Sequence, residues 1–448
     1  MGVTSHPEYI VKRSGVQVVF DQERITHAIY KAQLSQKLED RSLAERLSDI
    51  VVQRLSEAYS NGDYPTVENI QDMVVRTLDA EGHKNVATAY REYRTEHARQ
   101  REEKDEQIVV NDTIPYKTLW QVFTWNVAHE CDSIERLNEQ VRDGRIGGLI
   151  QEAEANYHAE IDRMADRVLK RRNDLRIIII AGPSSSGKTT TTIKMSERLA
   201  EKGIEVVALN LDNYFHNLET HPQDAFGDYD FERPEALDLA LINQHLADLL
   251  KGKEIQTPIY DFKTGLRQEK TVPFSLKPNQ VLLLDSLHGL YKPMTSSVPN
   301  DFKFKIYIEA LCQIRDARGE FVRWADLRML RRMVRDSWHR HYQPDQTVGH
   351  WHYVRRSEMK YIVPFIGQAD HIINGSLPYE LIVHKKYLFP HMESIIAAYD
   401  DTPARLDAYI RAKRVHDLLE PVEPIRDEEA IPRNSLMREY IGGSVYKY

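Results

Sequence analysis

The stretch from Leu175 to Thr191 leaves the fewest choices open. Ile177, Ile178, Ile179 and Ile180 form a continuous apolar run, which predicts a strand buried on both faces. The run leads into Gly182-Pro183-Ser184-Ser185-Ser186-Gly187-Lys188-Thr189-Thr190, and Ile193, Met195 and Leu199 predict a helix beyond it. This is G-x-x-x-x-G-K-S/T between a strand and a helix, the context in which the pattern builds a phosphate cradle. Two glycines let successive N–H groups face one concavity, and the helix adds the positive end of its dipole. Residues 182–190 are therefore expected to hold ATP. Lys188 would reach the β- and γ-phosphates, and the Thr189 hydroxyl would sit beside a Mg²⁺ that bridges them.

A chain of 448 residues implies two or three domains. Its net charge of -8 argues against a non-specific nucleic-acid binder. With only Cys131 and Cys312, neither a disulfide framework nor a four-cysteine metal site is available, which fits a reducing cytoplasm. No apolar run approaches the ~18 residues that would cross a bilayer, and the first residues lack an apolar leader core, so neither membrane nor export is expected.

Two further apolar runs end in carboxylates. Val206 to Leu211 is followed by Asp212, which the carboxyl end of a strand would place beside the phosphate helix, as a candidate general base or as a helix cap. Val281 to Leu284 is followed by Asp285, the arrangement in which a carboxylate orders Mg²⁺ near Thr189. Downstream, Arg328, Arg331, Arg332 and Arg335 fall on one helical face, with Arg340 and the pair Arg355-Arg356 beyond. Four guanidiniums so placed repel one another unless an anion or carboxylates neutralise them; a nucleic-acid patch and a solvated face are the competing readings. His339, His341, His350 and His352 form two H-x-H pairs that would suit zinc on a strand, but the first continues the arginine helix, where such neighbours diverge; surface or lid positions are expected.

At the other end of the chain, residues 9–20 read as two short strands around Ser14-Gly15. Asp21 then caps a helix with apolar Ile25, Ala28, Ile29 and Ala32, and helices follow at 43–55, 70–78 (Thr66 near its N-cap) and 86–93. Residues 101–172 read as a helical connector with a long helix, broken at Gly147-Gly148, in which Trp120, Phe123 and Trp125 pack against a neighbour. This connector is the candidate dimer element. Strands are expected again at 371–373 and 381–384, then helix and irregular chain. The ending 431–444 either docks near the active site or is a packed terminus.

Val11-Lys12-Arg13-Ser14-Gly15, Val19-Phe20-Asp21, Thr66 to Gln71 and Ala89 to Arg94 together resemble the ATP-cone, the nucleotide-sensing module of ribonucleotide reductases and their repressors. The resemblance implies that Lys12 and Arg13 contact the phosphates of a regulatory ATP or dATP. Asp212-Asn213-Tyr214-Phe215, Gly227 to Asp238 and Pro258 to Arg267 resemble the uridine kinase and phosphoribulokinase family over 176–392, in a uridine-kinase-related branch marked by Lys303 to Ile308. This implies Asp212 as base, Glu232 on sugar hydroxyls, Tyr260 lining the acceptor site with Arg267 and Arg332, and an arginine lid over the triphosphate that ends at Arg335-Asp336, with Arg340 following as a further catalytic candidate beside Lys188 and Arg335. The chain departs from the family at Gly265, where uridine kinases carry a pyrimidine-reading histidine, at Glu232, usually aspartate, and at Asp285-Ser286, usually Glu-Gly.

The expectation is an α/β P-loop kinase, a parallel sheet flanked by helices, behind a mostly helical α+β ATP-cone. The segments are cone 1–100, connector 101–172, kinase 173–395 and helical tail 396–448. The expected activity is Mg²⁺- and ATP-dependent phosphorylation of a hydroxyl on a nucleoside or ribose-like molecule, in a cytoplasmic homo-oligomer regulated through the cone. The alternative is a regulatory ATPase or nucleotide switch. A cone-bearing repressor is disfavoured because its four-cysteine zinc finger is missing.

Overall fold

Five parallel strands carry the active site, in the computed structural model, which describes residues 9–11, 17–59, 64–105, 114–221, 231–339, 343–400 and 405–447 together with Pro7, Tyr229 and Thr402. The described residues fall into two units, Met1–Val110 and Asn111–Tyr448. The first pairs β1 (Tyr9–Val11) with β2 (Gln17–Val19) and adds α1 (Glu23–Ser35), α2 (Arg41–Ala58), α3 (Val67–Ala80) and α4 (Lys84–Asp105). Asp40 caps α2, and Thr66 closes a reciprocal capping box with Asn69 at α3, satisfying N–H groups that a helix start leaves open. Asp21 bonds the Glu23 N–H at 3.1 Å while Gln22 takes the N-cap position of α1. Ile29, Val51, Leu55, Val74 and Leu78 close a small core.

The second unit opens with α5 (Tyr116–Ala128), α6 (Ile134–Arg142) and α7 (Ile146–Lys170). Then come β3 (Ile177–Ala181), α8 (Lys188–Glu201), β4 (Glu205–Asn210) and α9 (Leu239–Leu250). Two antiparallel ribbons follow, β5 (Ile255–Thr257) with β8 (Val272–Phe274) and β6 (Tyr260–Asp261) with β7 (Leu266–Arg267). The chain ends through β9 (Gln280–Ser286), β10 (Lys303–Glu309), α10 (Trp324–His339), α11 (Pro344–Ser357), β11 (His371–Asn374), α12 (Glu380–Leu388), α13 (Met392–Asp400), α14 (Leu406–Leu419) and α15 (Arg438–Ile441).

The sheet order is β11-β10-β3-β9-β4, all parallel. Strand β3 is buried along its whole length, and alternate residues serve two cores. Ile178 and Ile180 face the larger one, with α7, α8, α10 and α12; Ile177 and Ile179 face α9 through Ile242 and Leu246. Burial on both sides is why these strands read as unbroken apolar runs.

Several expectations change. Residues expected as connector and tail are not separate pieces: Leu137, Tyr157 and Met164, like Val415, Leu436 and Tyr440, share the core of the sheet. The Gly147-Gly148 break is absent, because both lie in the first turn of α7, whose N–H groups need no intrahelical partner; the chain turns one step earlier, where the Gly144 N–H bonds Val141 O. Residues 381–384 are helical, within α12. Residues 380–384 of this helix are all buried and show no polar stripe, so the apolar run mimics a strand. Phe123 meets Phe321 edge-on and Trp125 packs on the core, but Trp120 is 65% exposed.

Helix α10 is fixed by two arginines with no exposed side-chain surface. Arg331 makes a bidentate pair with Glu380 (Nε to Oε2, 2.6 Å), and Arg328 lies between Glu309 (2.7 Å) and Glu358. Burial alone would raise the Glu380 pKa, but Arg331 outweighs it and holds the carboxyl down to about 2. Removing one partner leaves an uncompensated buried charge, worth about 3–5 kcal/mol. Glu380→Ala should therefore lower the unfolding free energy of the second unit by that amount, read as a lower urea midpoint. An unchanged midpoint would show that the pair contributes nothing net.

Candidate active site

The phosphate loop leaves β3 at the centre of the sheet, where connections run to opposite sides and a crevice opens beyond the strand ends. Ser185 (φ 59°) and Gly187 (φ 96°) take left-handed backbone, which curls the loop into a nest. At Gly187 only glycine fits, since a Cβ would lie 2.4 Å from Leu436 Cδ1. Lys188 Nζ donates to the carbonyls of Gly182 (2.9 Å) and Pro183 (3.2 Å), and Thr189 is exposed at the start of α8.

Three carboxylates reach Lys188 electrostatically: Asp285, Glu439 and Glu232. Burial lowers the Lys188 pKa against their pull, with Arg335 on the side of lowering. Asp285 ends β9 beside Asn210 of β4, and burial pushes its carboxyl up to about 6, with Asp212 and Glu439 adding to the rise and Lys188 opposing it. Asp212 opens the 3-10 turn Leu211–Tyr214 that follows β4, its own N–H held by Asn210 Oδ1 at 2.9 Å, and its side chain is exposed. Glu232 is positioned twice. Its carboxylate pairs with Arg332 (3.3 Å), which also reaches Ser184 Oγ (3.2 Å), and its carbonyl accepts from His288 Nε2 (2.8 Å) and from the Ser357 hydroxyl. Burial pulls the His288 pKa down to about 4, so the ring is neutral near pH 7.

Of the four arginines expected as a lid, two are not. Arg328 and Arg331 donate to the carbonyls of Ser184 (3.0 Å) and Ser185 (3.1 Å) from behind the loop and are consumed by buried carboxylates. Arg332 and Arg335 keep about a fifth of their side chains exposed (22% and 18%). Arg267 is tied to the carbonyls of Phe215 (3.0 Å) and Tyr214 (2.7 Å) and to Asp238 (3.1 Å), so it braces the Asp212 turn rather than presenting its charge to an acceptor. It also lines a cavity of about 220 Å³ with His216, Asn217 and Thr220. Tyr260 is buried against Phe215 and Phe262, and its hydroxyl has no hydrogen-bond partner among the described residues. Gly265 (φ 70°) would place a Cβ 2.8 Å from Leu218, so no histidine fits there.

Lys12, Arg13, Arg340 and His341 lie outside the described residues, as does the side chain of His339. His350 and His352 sit two apart on α11, where they diverge. The donor set fits Mg²⁺, which takes one or two protein oxygens and completes its shell with phosphate and water. Asp285 and Thr189 are the residues that would hold it. Sequence reasoning missed Glu439, Leu436, Tyr440 and His288; only the motif-like ending gave a signal. No helix among the described residues is long and apolar enough to cross a membrane.

A parallel sheet with a phosphate loop at its switch point and acids at the neighbouring strand ends defines a P-loop nucleotide-binding protein. Residues 177–382 match the model of the phosphoribulokinase/uridine kinase family, and residues 8–99 match the ATP cone domain. A uridine kinase of Deinococcus deserti is 30% identical over 198 residues, which is 44% of this chain and 86% of that protein. Uridine-cytidine kinase B of Dictyostelium discoideum is 29% identical over 198 residues, 44% of this chain and 73% of that protein. Among solved structures, a possible uridine kinase from Bacillus stearothermophilus aligns over 48% of this chain and 97% of its own, at 17% identity and a TM-score of 0.34. The chain belongs to the phosphoribulokinase/uridine kinase family: it is a kinase that phosphorylates a hydroxyl of a small molecule, and it carries an ATP-cone domain.

Asp285 gives a pH test with a definite sign. Its folded pKa, about 6, lies above the ordinary aspartate value of 3.8, so its ionised form costs stability that is absent below pH 3.8 and fully felt above 6. The cost is about 3 kcal/mol. Without divalent cation, Asp285→Asn should melt above wild type at pH 8 and with it at pH 3.5, and should lose stabilisation by Mg²⁺. Equal melting curves at pH 8 would remove Asp285 from the buried site.

Proposed function

We propose that the chain is a cytoplasmic Mg²⁺-ATP-dependent kinase acting on a nucleoside or another ribose-like acceptor, and that its ATP-cone tunes this activity through conformation or oligomeric state. The observation that carries the reading is the convergence of Lys188, Asp285, Asp212 and Glu232 at the carboxyl ends of β3, β4 and β9. Residues 182–190 hold the triphosphate. Asp212, exposed at its turn, accepts the proton of the attacking hydroxyl and orients it towards the γ-phosphoryl. Glu232, fixed through Arg332 and His288, holds acceptor hydroxyls with Tyr260. Arg332 and Arg335 set positive charge against the transferring group, and Arg340 is a candidate for the same role. Asp285 and Thr189 would hold Mg²⁺, which would supply positive charge against the phosphates. The Leu218 contact at Gly265 speaks against pyrimidine reading at that position, so the ribose-like part of the acceptor is the part this site is built to recognise.

The decisive assay incubates γ-labelled ATP with a panel of nucleosides and sugar derivatives and reads phosphoproduct separately from free phosphate. Free phosphate alone would leave an ATPase. Lys188→Ala should weaken ATP binding and turnover together, because the ammonium serves both ground and transition states. Asp212→Asn keeps the shape but cannot accept a proton, so turnover should fall ~10²-fold or more with ATP affinity nearly unchanged. Collapse of ATP binding in Asp212→Asn would make the residue structural.

The cone can act only if its nucleotide prefers one state of the enzyme. A coupling of about 1–3 kcal/mol would shift activity or assembly by roughly 5- to 150-fold. Lys12→Ala combined with Arg13→Ala should keep turnover at low ATP and flatten the response to high ATP or dATP, read by initial rates and light scattering. Superimposable curves for wild type and double variant would rule the cone out as a regulator.

A further inference from the structure

The chain's last helix lies against the phosphate loop. Ser435, Leu436, Met437 and Tyr440 are fully buried, and Arg438, Glu439 and Ile441 nearly so. Leu436 packs on Gly187, the Tyr440 hydroxyl donates to Ser185 O at 3.2 Å, and the Tyr440 ring sits 5.1 Å from the Arg331 guanidinium. Glu439 reaches furthest. Its Oε2 accepts both the Thr190 N–H (3.2 Å) and the Thr190 hydroxyl (2.7 Å).

The Thr190 N–H belongs to the first turn of α8, among the amides that have no intrahelical acceptor and that a phosphate loop aims at nucleotide phosphates. A carboxylate on that donor matches a phosphate oxygen in charge and in acceptor chemistry, and both cannot take it together. Lys188 feels the Glu439 charge as well, so the ammonium that would meet the incoming anion already faces this carboxylate. Besides Leu436 and Tyr440, which bear on the loop, the segment has anchors away from it: Ser435 and the Tyr379 hydroxyl meet at Glu154, and Arg438 holds the carbonyls of Glu428 and Ile431, both at 2.9 Å. Release of Glu439 from Thr190 therefore loosens residues 436–441 locally, while the Ser435 and Arg438 side chains keep the segment tethered.

We infer that Glu439 is an internal phosphate surrogate, and that nucleotide binding at the phosphate loop requires its carboxylate to be displaced from Thr190. The C-terminal segment thereby sets the affinity of the loop for phosphorylated nucleotides. This rests on the reading of residues 182–190 as the ATP site. The competition is confined to ligands that bring a phosphate to the α8 terminus, so ATP and ADP meet it and adenosine does not.

The test is calorimetry of ATP, ADP and adenosine on the full chain, taking the Lys188-dependent part of the binding as that of the loop. Glu439→Ala should tighten ATP and ADP at least tenfold. Glu439→Gln, which keeps an acceptor but removes the charge, should fall between it and wild type, and adenosine should be unaffected. Unchanged or weaker ATP binding in both variants would overturn the inference and make Glu439 a support of the loop. Since a buried substitution can disturb folding, a second readout uses wild type alone: saturating ATP should speed amide hydrogen exchange in 436–441, and unchanged or slower exchange would overturn the inference equally. If Lys188→Ala binds ATP as wild type does, the ATP site itself is misassigned and the inference falls with it. If Lys188→Ala loses ATP while the Glu439 variants do not gain it, the inference alone fails.

Discussion

Two buried guanidiniums hold the phosphate loop by its carbonyls, and the rest of the catalytic unit is arranged to make that possible. A loop that turns its N–H groups inward to meet an anion turns its C=O groups outward, and outward here is protein interior, where an unpaired carbonyl is costly. Arg328 meets Ser184 O and Arg331 meets Ser185 O. Two cations in an apolar interior need anions in turn. Glu309 from the end of β10, Glu358 beyond α11 and Glu380 at the start of α12 supply them, which ties β10, α11 and α12 to the position of one turn of backbone. The arginine face of α10 is thus split by depth: one pair braces the loop and the other, Arg332 and Arg335, looks into the crevice.

On the inner side of the loop the charges are balanced differently. Lys188 and the start of α8 are positive, while Asp285, Asp212, Glu232 and Glu439 surround them, an excess of carboxylates that suits a bound cation and disfavours an unscreened triphosphate. Desolvation makes each of these charges more sensitive to its neighbours than it would be in water. Asp285 registers this as a carboxyl held up near 6, and Lys188 as an ammonium whose pKa is lowered.

The parts of this site governed by local rules were legible in the sequence. The four isoleucines, the two glycines and the lysine prescribe a strand, a nest and a helix start, because each constraint acts within a dozen residues. The acids after the second and third apolar runs were found on the same footing. The sequence could not say which arginines of one face would be buried, since that depends on where Glu309, Glu358 and Glu380 arrive from distant elements. Nor could it say that Glu439 returns to Thr190 across 249 residues. The run 381–384 misled for a related reason: complete burial erases the periodicity by which a helix is recognised.

The acceptor side is built on a different principle from the phosphate side. The phosphate loop sits on long central strands and is braced from behind, whereas Tyr260, Arg267 and the Asp212 turn are carried by two-residue ribbons and a 3-10 turn. These short pieces hold one another: Arg267 pins the carbonyls of Tyr214 and Phe215, Asn213 receives the Tyr260 N–H, and Asn217 receives the Arg267 N–H. The polar contacts that could read an acceptor are thereby spent on placing Asp212, and Leu218 fills the space beside Gly265. Under the proposed function, a site so constructed would keep the geometry of phosphoryl transfer fixed and leave recognition to Glu232 and to the aromatic wall of Phe215, Tyr260 and Phe262. Rigid chemistry beside sparse recognition is the arrangement in which substitutions at a few ribbon positions can change the acceptor without disturbing the transfer.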